Sequence, residues 1–360
     1  MRIDYNYLIL EKVLKMKSKK YLTLMIIAIL ISFSLFAGFF NKTFSQEQVV
    51  LKIATLAPGS GDWIGNFKIA IKEVEEKTNG RVTVRVYPGG VMGDDNTVFR
   101  KMQIGQLDGA SFTAGGISVF YPDFQVLSIP LLFRNYEEID YVRQTIDPII
   151  MKNLETKGFV PLFIADTGFA YLLSKKPVEN IASLKGLKIW IPEGDPIGRT
   201  VFEMAGVPPI PLPMADVLTA LRTGLIDTVS NTPSGTLIFQ WYTQVKYLMD
   251  MPLLYVYGTF VLSKKSYEKI PEQDRQIVKD IIKEKMSGLS KSIREYDQRS
   301  LPALKERGIT FVPITGKSKE EMDAFAEKVR NKLIEDKVFS KEIVDKIIAS
   351  ITEYRAKQKK

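Results

Sequence analysis

The residues of this chain that could do chemistry lie at the ends of short apolar runs, and Trp190 is the first of them. Along Leu187–Ile191 the alternation places Lys188 and Trp190 on one face of a predicted strand and the three aliphatic residues on the other. A face shared with a lysine is not an ordinary core, and Pro192 ends the strand directly afterwards. Trp190 either faces a ligand in a cleft or packs at a domain seam with its N–H satisfied. Its position at the carboxyl end of a strand favours the cleft.

Further binding candidates are aromatic or hydroxyl side chains near predicted strand and loop ends. Phe112 and Thr113 end a predicted strand where a cleft is expected, and the Thr113 hydroxyl can donate a hydrogen bond. Trp63 follows the first loop and could stack on a ligand, but it also belongs to the apolar stripe of a predicted helix, which favours core packing at least equally. Tyr242 belongs to an aromatic cluster on a predicted helix, where one ring could face the cleft while the others pack in the core.

Catalytic chemistry is disfavoured by residue types that the sequence lacks. The chain has no cysteine and no histidine, so thiolate nucleophiles, disulfides and the commonest general base and metal ligand are missing. No nucleophile elbow, Ser-x-x-Lys motif or phosphate loop lies where such chemistry would need it. Glu193 and Asp195 could hold a cation, but a solvated turn after the strand is the more economical interpretation. We therefore expect neither an enzyme nor a cofactor or metal site.

The elements that must position these candidates follow from alternating strand and helix patterns. Strands are predicted at 49–55, 82–86, 109–113, 160–165, 187–191 and 225–229, and helices at 63–79, 95–104 and 215–223. This order is α/β and indicates parallel strands with crossover helices, so the loops at 56–62 and 113–118 are candidate ligand loops. From Pro271, apolar residues predict a helix of about 28 residues, which Pro302 should bend or end. Two amphipathic helices, separated near 339–340, are predicted after residue 318.

The first 45 residues have the pattern of an export signal. Five lysines between positions 12 and 20 precede an apolar run, Tyr21–Phe40, and cleavage after Ser45 fits the small-x-small rule. An uncleaved membrane anchor is the alternative, and translation could begin at Met16. This segment holds seven Lys/Arg and two Asp/Glu, so the net charge of +9 falls to +4 in the remainder. That balance is too mild to indicate a nucleic-acid partner. We expect a periplasmic protein.

Two central motifs resemble the solute-binding subunits of TRAP transporters, the DctP-type family. Residues 183–192 read SLKGLKIWIP, and residues 211–227 read PLPMADVLTALRTGLID. Further landmarks in family order are TNGRV at 78–82, YPGGVMGD at 87–94, GQLDGA at 105–110, PLLF at 130–133 and VKY at 245–247. Each landmark alone would be weak evidence, but their joint order is specific. The resemblance covers about residues 49–315, and the tail more loosely.

The resemblance implies an α/β, two-lobed periplasmic binding protein fold with a ligand cleft between the lobes and a long helix spanning both. It assigns 46–168 and about 259–300 to lobe I, and 169–258 and about 301–360 to lobe II. The implied function is to capture a small organic ligand outside the inner membrane and deliver it to TRAP membrane permease subunits, and we expect a monomer. An orphan sensory or lipid-shuttling protein with the same fold is the alternative.

Departures from the family pattern point to an altered ligand. Trp190 occupies the position where the family usually has a carboxylate-binding arginine, and a second basic position falls near Phe169 and Ala170. Asn231 matches a ligand-contacting asparagine of the family, although the preceding glutamate is Ser230 here. We therefore expect a carboxylate with a large apolar part, or a hydrophobic molecule. Trp190→Arg should shift the preference toward small carboxylates.

Overall fold

A computed structural model describes residues 48–59 and 62–358, and the predicted signal segment lies outside them. The strands are β1 Val49–Thr55, β2 Val82–Tyr87, β3 Gly109–Thr113, β4 Phe159–Ser174, β5 Trp190–Pro192, β6 Ile210–Leu212, β7 Thr228–Asn231, β8 Tyr247–Asp250, β9 Leu254–Ser263 and β10 Thr310–Pro313. The helices are α1 Asp62–Lys77, α2 Asp95–Gln103, α3 Ala114–Ser118, α4 Tyr136–Thr156, α5 Pro196–Met204, α6 Val217–Thr223, α7 Pro233–Ile238, α8 Lys264–Lys269, α9 Glu272–Ser287, α10 Leu289–Glu306, α11 Gly316–Glu335 and α12 Lys341–Gln358. Within the described residues, no helix has the length and apolar character that a bilayer crossing requires.

The main sheet is mixed, with the strand order β10-β8-β4-β9-β3-β1-β2 and β7 paired to β4. Strand β1 pairs in parallel with β2 and β3, as the alternating pattern predicted. The expectation of parallel strands throughout was wrong, because β9 returns antiparallel to both β3 and β4. Strands β5 and β6 form a separate parallel pair.

Strands β4 and β9 connect the two halves of the sheet. The predicted strand at 160–165 is the beginning of β4, which continues for 16 residues and then pairs with β7 and β8. The register of β4 against β9 shifts between Asp166 and Gly168. Gly168 has a φ of +129°, and a Cβ there would lie 2.5 Å from a carboxylate oxygen of Asp297, so a larger residue would be strained.

A buried ionic cluster holds β4 at this irregularity. The Asp166 carboxylate, 3% exposed, accepts hydrogen bonds from Arg143, Arg294 and the hydroxyl of Tyr255. Arg294 also donates two hydrogen bonds to the more exposed Asp140, at 2.6 and 2.8 Å. The side chains therefore join α4, β4, β9 and α10 at one point.

The long helical pattern from Pro271 forms two consecutive helices, α9 and α10. At their junction the Gly288 N–H still donates to Glu284 O at 3.2 Å, so helical hydrogen bonding continues. Val278 of α9 packs in the core with α1, whereas Leu304 of α10 packs with residues of β7 and β8. The helix pair thus contacts both halves of the sheet. Pro302 does not end the helix.

The C-terminal helices confirm the amphipathic pattern predicted after residue 318. Helix α12 places Ile343, Val344 and Ile347 in the same core as Ile139 and Ile146 of α4. The predicted lobe boundaries assign these two helices to different lobes, and the packing joins them. The tail therefore packs on an element that precedes it by about 200 residues.

Candidate functional site

A cavity of about 150 Å³ lies where the carboxyl ends of β1 and β3 approach the short strands of the other half. Loops and helix starts on both sides contribute to it, and β9 forms its floor together with β4. The lining residues are Leu56, Asp94, Asp95, Asn96, Thr113, Ala114, Gly115, Gly116, Gln125, Ser128, Ala170, Trp190, Pro192, Glu193, Asp195, Ile197, Leu212, Pro213, Met214, Ser230, Asn231, Leu254, Val256 and Tyr257.

One wall is built by Asp95 and Thr113. The Thr113 hydroxyl donates to Asp95 Oδ2 at 2.6 Å and accepts from Gly116 N at 3.0 Å as the N-cap of α3. A Cβ on Gly116 would overlap the Asp95 carboxylate, so only glycine permits this approach. Although Asp95 is only half-buried, the cavity walls keep water from its carboxylate, and this burial raises its pKa to about 6. We predicted that the Thr113 hydroxyl donates a hydrogen bond to the ligand, but here it donates its hydrogen to Asp95.

A second wall is built by Asp195 and Gln125. Asp195 caps α5 by accepting from Ile197 N at 3.1 Å, and the same oxygen accepts from Gln125 Nε2 at 2.9 Å. Burial is the main reason that the pKa of Asp195 is raised. The interpretation of Asp195 as part of a solvated turn was wrong, because its carboxylate lines the cavity and makes these contacts. Gln125 is 6% exposed, and its Oε1 has no hydrogen-bond partner among the described residues.

Asn231 ends β7 and reaches the cavity. Its Oδ1 accepts from Thr232 N at 2.8 Å, which fixes the amide so that Nδ2 is buried without a described partner. The close approach of Gly235, where a Cβ would lie 2.5 Å from Oδ1, supports the same orientation. A buried, unpaired donor costs about 1–3 kcal/mol. A ligand oxygen is one group that could accept its hydrogen bond.

Trp190 lines the cavity mainly as part of its packed wall. Its ring is 2% exposed and meets Trp241 edge-to-face at 5.2 Å, while its Nε1 donates to Leu212 O at 2.9 Å. The predicted alternation is confirmed, since Ile189 and Ile191 pack in a different core from Trp190. Trp190 therefore reaches the cavity, as the first interpretation predicted, and its N–H is bonded within the protein, as the second predicted.

Four predicted site residues do not line the cavity. Phe112 and Phe169 are each adjacent to a lining residue, Thr113 and Ala170, and strand alternation turns their rings to the opposite face. Phe112 packs with Phe120 at 6.1 Å, and Phe169 packs between Tyr136 and Tyr255. The two rings therefore lie outside the cavity lining, and their role as ligand contacts stays a prediction.

Trp63 and Tyr242 lie outside the cavity for reasons of packing. Trp63 belongs to α1, and its ring lies 5.3 Å from the ring of Phe67 and packs against the core, as the apolar stripe of the helix indicated. Tyr242 lies in a 3-10 helix, where the guanidinium of Arg307 is 5.6 Å from its ring. Neither residue is in the cavity lining, and a ligand-facing role for either one stays a prediction.

The cavity carries acidic groups and no basic partner. Asp94, Asp95, Glu193 and Asp195 line it, whereas none of its described lining residues is lysine or arginine. Ala170, near the predicted second basic position, contributes apolar surface to the cavity. The site consequently holds no cationic clamp for a ligand carboxylate.

A second, apolar cavity of about 80 Å³ borders the first and shares five lining residues with it. The shared residues are Pro192, Asp195, Ile197, Ser230 and Leu254. The rest of its wall is mainly aliphatic or aromatic, with Phe202 from α5 and Phe325 from α11.

Together the two-lobed fold and the enclosed cavity define a binding protein of the periplasmic type. The family described as "Bacterial extracellular solute-binding protein, family 7" (DctP) matches residues 57–337. The chain belongs to this family, whose members bind solutes and are not enzymes.

Sequence relatives agree with this assignment, and solved structures share the fold. A solute-binding protein of Verminephrobacter eiseniae is 28% identical over 67% of this chain and 72% of its own length. The C4-dicarboxylate-binding periplasmic protein DctP of Rhodobacter capsulatus is 25% identical over 80% and 87% of the two chains. A TRAP periplasmic solute-binding protein from Desulfovibrio salexigens, solved with orotic acid, has a TM-score of 0.76 at 21% identity and covers 85% of this chain and 99% of its own. The galactonate complex of DctPAm from Advenella mimigardefordensis has a TM-score of 0.78 at 18% identity, with the same coverage.

Proposed function

We propose that this protein is the extracytoplasmic solute-binding subunit of a TRAP-type secondary transporter. In the periplasm it captures a small organic ligand in the cavity and closes over it. It then delivers the ligand to the permease subunits in the membrane. The observation that carries the proposal is the enclosed cavity at the strand ends of a family member, with two buried amide atoms that lack partners among the described residues. Closure would follow from tighter ligand binding in the closed state than in the open state.

The apolar surface of the site supports a ligand with a large apolar part. Ala170 and Trp190 stand where the family pattern has basic residues, and the second cavity offers further apolar wall beside them. Filling that cavity with carbon atoms would gain dispersion contacts and remove apolar surface from water.

The polar surface restricts how an acid could bind. Relatives and similar structures are described with organic acids, among them C4-dicarboxylates, orotic acid and galactonate. Without a lysine or arginine in the described lining, an acid group here would depend on neutral donors such as Asn231 Nδ2. Neutral hydrogen bonds are roughly half as strong as charge-assisted ones. Apolar contacts would therefore supply a larger share of the binding free energy here than in a site where an arginine binds the carboxylate.

The test is mass spectrometry on the organic extract of protein purified from an exporting host. The parent is compared with Asn231→Leu, which removes the unpaired donor, and with Asn331→Leu on the exposed face of α11 as the matched control. The proposal predicts a compound that the parent and the control retain and the Asn231 variant loses. Extracts that contain no compound, or the same compounds for all three proteins, would contradict it.

A further inference from the structure

The polar half of the cavity is built to accept hydrogen bonds. Asp95 and Asp195 each direct a carboxylate at it, and neither forms an ion pair with a described lysine or arginine. A carboxylate removed from water without a cation is costly, and its cost falls when a positive partner arrives. The described cavity residues therefore supply no positive charge to balance these two carboxylates.

Gln125 provides the independent indication that a ligand supplies this charge. Its side chain is 94% buried, because only 6% is exposed, and Nε2 is fixed by Asp195. Oε1 is consequently a buried acceptor without a described donor, in a side chain that lines the cavity. From amide geometry it lies no more than about 5 Å from the bonded Asp195 oxygen. A ligand donor at this point could reach both groups.

The two acidic walls are close together. A Cβ on Gly115 would lie 3.7 Å from Gln125 Nε2 and 3.8 Å from Thr113 Oγ1, so this glycine separates the Asp195–Gln125 pair from the Asp95–Thr113 pair. Gly115 has no side chain, which leaves the space between them open. Acceptors from two walls thus converge on one small volume.

We propose that the ligand carries an ammonium group, which binds between Asp195, Gln125 Oε1 and Asp95, while its apolar part extends toward the second cavity. This inference rests on the proposed solute-binding function and names the chemical class of the solute. An ammonium has three N–H donors and a full positive charge, which match the two carboxylates and the amide oxygen. A ligand that also bears a carboxylate can place that acceptor near Asn231 Nδ2.

An organic cation fits this volume better than a metal ion. Among the described residues no group of three or more acidic side chains is arranged to hold a metal. The adjoining apolar wall, with Leu254 and Ile197 shared by both cavities, also requires a ligand that has carbon surface. An ammonium on an apolar skeleton satisfies both halves of the site.

The test uses three probes with the same phenyl group and short carbon chain: 2-phenylethylamine, L-phenylalanine and 3-phenylpropanoate. Binding at pH 7 is measured by isothermal titration calorimetry on protein from an exporting host, after bound compounds have been removed by unfolding and refolding. We expect the two ammonium probes to bind at least about 10-fold more tightly than the carboxylate, a difference of one strong hydrogen-bonded contact. Asp195→Asn and Gln125→Leu should each remove most of this preference.

The matched control is Glu203→Gln, on the exposed face of the helix that Asp195 caps, and it should keep the preference. Equal binding of all three probes, or tighter binding of 3-phenylpropanoate, would overturn the ammonium assignment while leaving solute binding intact. Failure of all three probes to bind overturns the assignment as well. Failure of the solute-binding function itself is recognised separately, by an extract of the parent protein that contains no compound.

Discussion

Asp95 offers the sharpest test of the electrostatics of the site. Its carboxylate is surrounded by the cavity walls, and burial raises its pKa to about 6 from the ordinary value of 3.8. Because the folded-state pKa lies above the unfolded one, the folded protein binds the proton more tightly. The contribution of Asp95 to the free energy of unfolding is therefore fully present below about pH 4 and is lost as the pH rises through about 6. Asp95→Asn should remove this loss.

The magnitude follows from the size of the pKa change. A rise from 3.8 to about 6 corresponds to a cost of about 3 kcal/mol at neutral pH, at 1.4 kcal/mol for each unit. The asparagine keeps an oxygen that can accept from Thr113, so little else changes. We expect Asp95→Asn to raise the free energy of unfolding by about 3 kcal/mol at pH 7.5 and by less than about 0.5 kcal/mol at pH 4.

Urea unfolding of the ligand-free protein at the two pH values measures this difference. Comparing parent with variant at each pH cancels the contributions of other titrating groups. Glu75→Gln, on the exposed face of α1, is the control and should change neither free energy by more than about 0.5 kcal/mol. A stability change in Asp95→Asn that is the same at both pH values, or a loss at pH 7.5, would refute the account. It would mean that the carboxylate is stabilised in the empty site.

Two further predictions concern the framework around the cavity. Gly116→Ala should lower the free energy of unfolding by about 1–3 kcal/mol, because a Cβ there would overlap the Asp95 carboxylate. A Cβ on Gly115 would meet nothing closer than 3.7 Å, so Gly115→Ala should change the free energy by less than about 1 kcal/mol. Thermal denaturation of both variants measures the difference. Asp166→Asn should cost about 3–5 kcal/mol because it leaves two arginines without their buried carboxylate, and Asp140→Asn, whose side chain is 53% exposed, should cost less than about 1 kcal/mol. Equal losses in chemical denaturation would show that the buried position has no special role.

Much of the fold could be predicted because local patterns and burial agree. The first three strands and two helices follow from apolar alternation and from turn residues such as Gly80, which has a φ of +73°. The full length of β4 could not be predicted, because its second half pairs with β7 and β8, far along the chain. The antiparallel return of β9 was missed for the same reason. Pairing partners that are distant in sequence leave no periodic signal.

The candidate site was less predictable than the fold. Thr113 and Asn231 end strands of the main sheet, whereas Trp190 begins β5 of the separate pair, and all three line the cavity. Gln125 was missed, since it lies in an irregular 3-10 segment, Pro122–Ser128, without a pattern. Asp95 was not singled out, because it lies in the first turn of α2, directly after the N-cap Asp94. The charge of the site emerges only when these distant segments meet.

The most direct test of the account is a crystal structure of the protein from an exporting host with its bound compound. The account predicts an organic molecule in the cavity, within hydrogen-bond distance of Asn231 Nδ2 and Gln125 Oε1, with carbon atoms against Ala170. A ligand bound elsewhere on the protein, or one in the cavity that leaves both amide atoms unpaired, would contradict it.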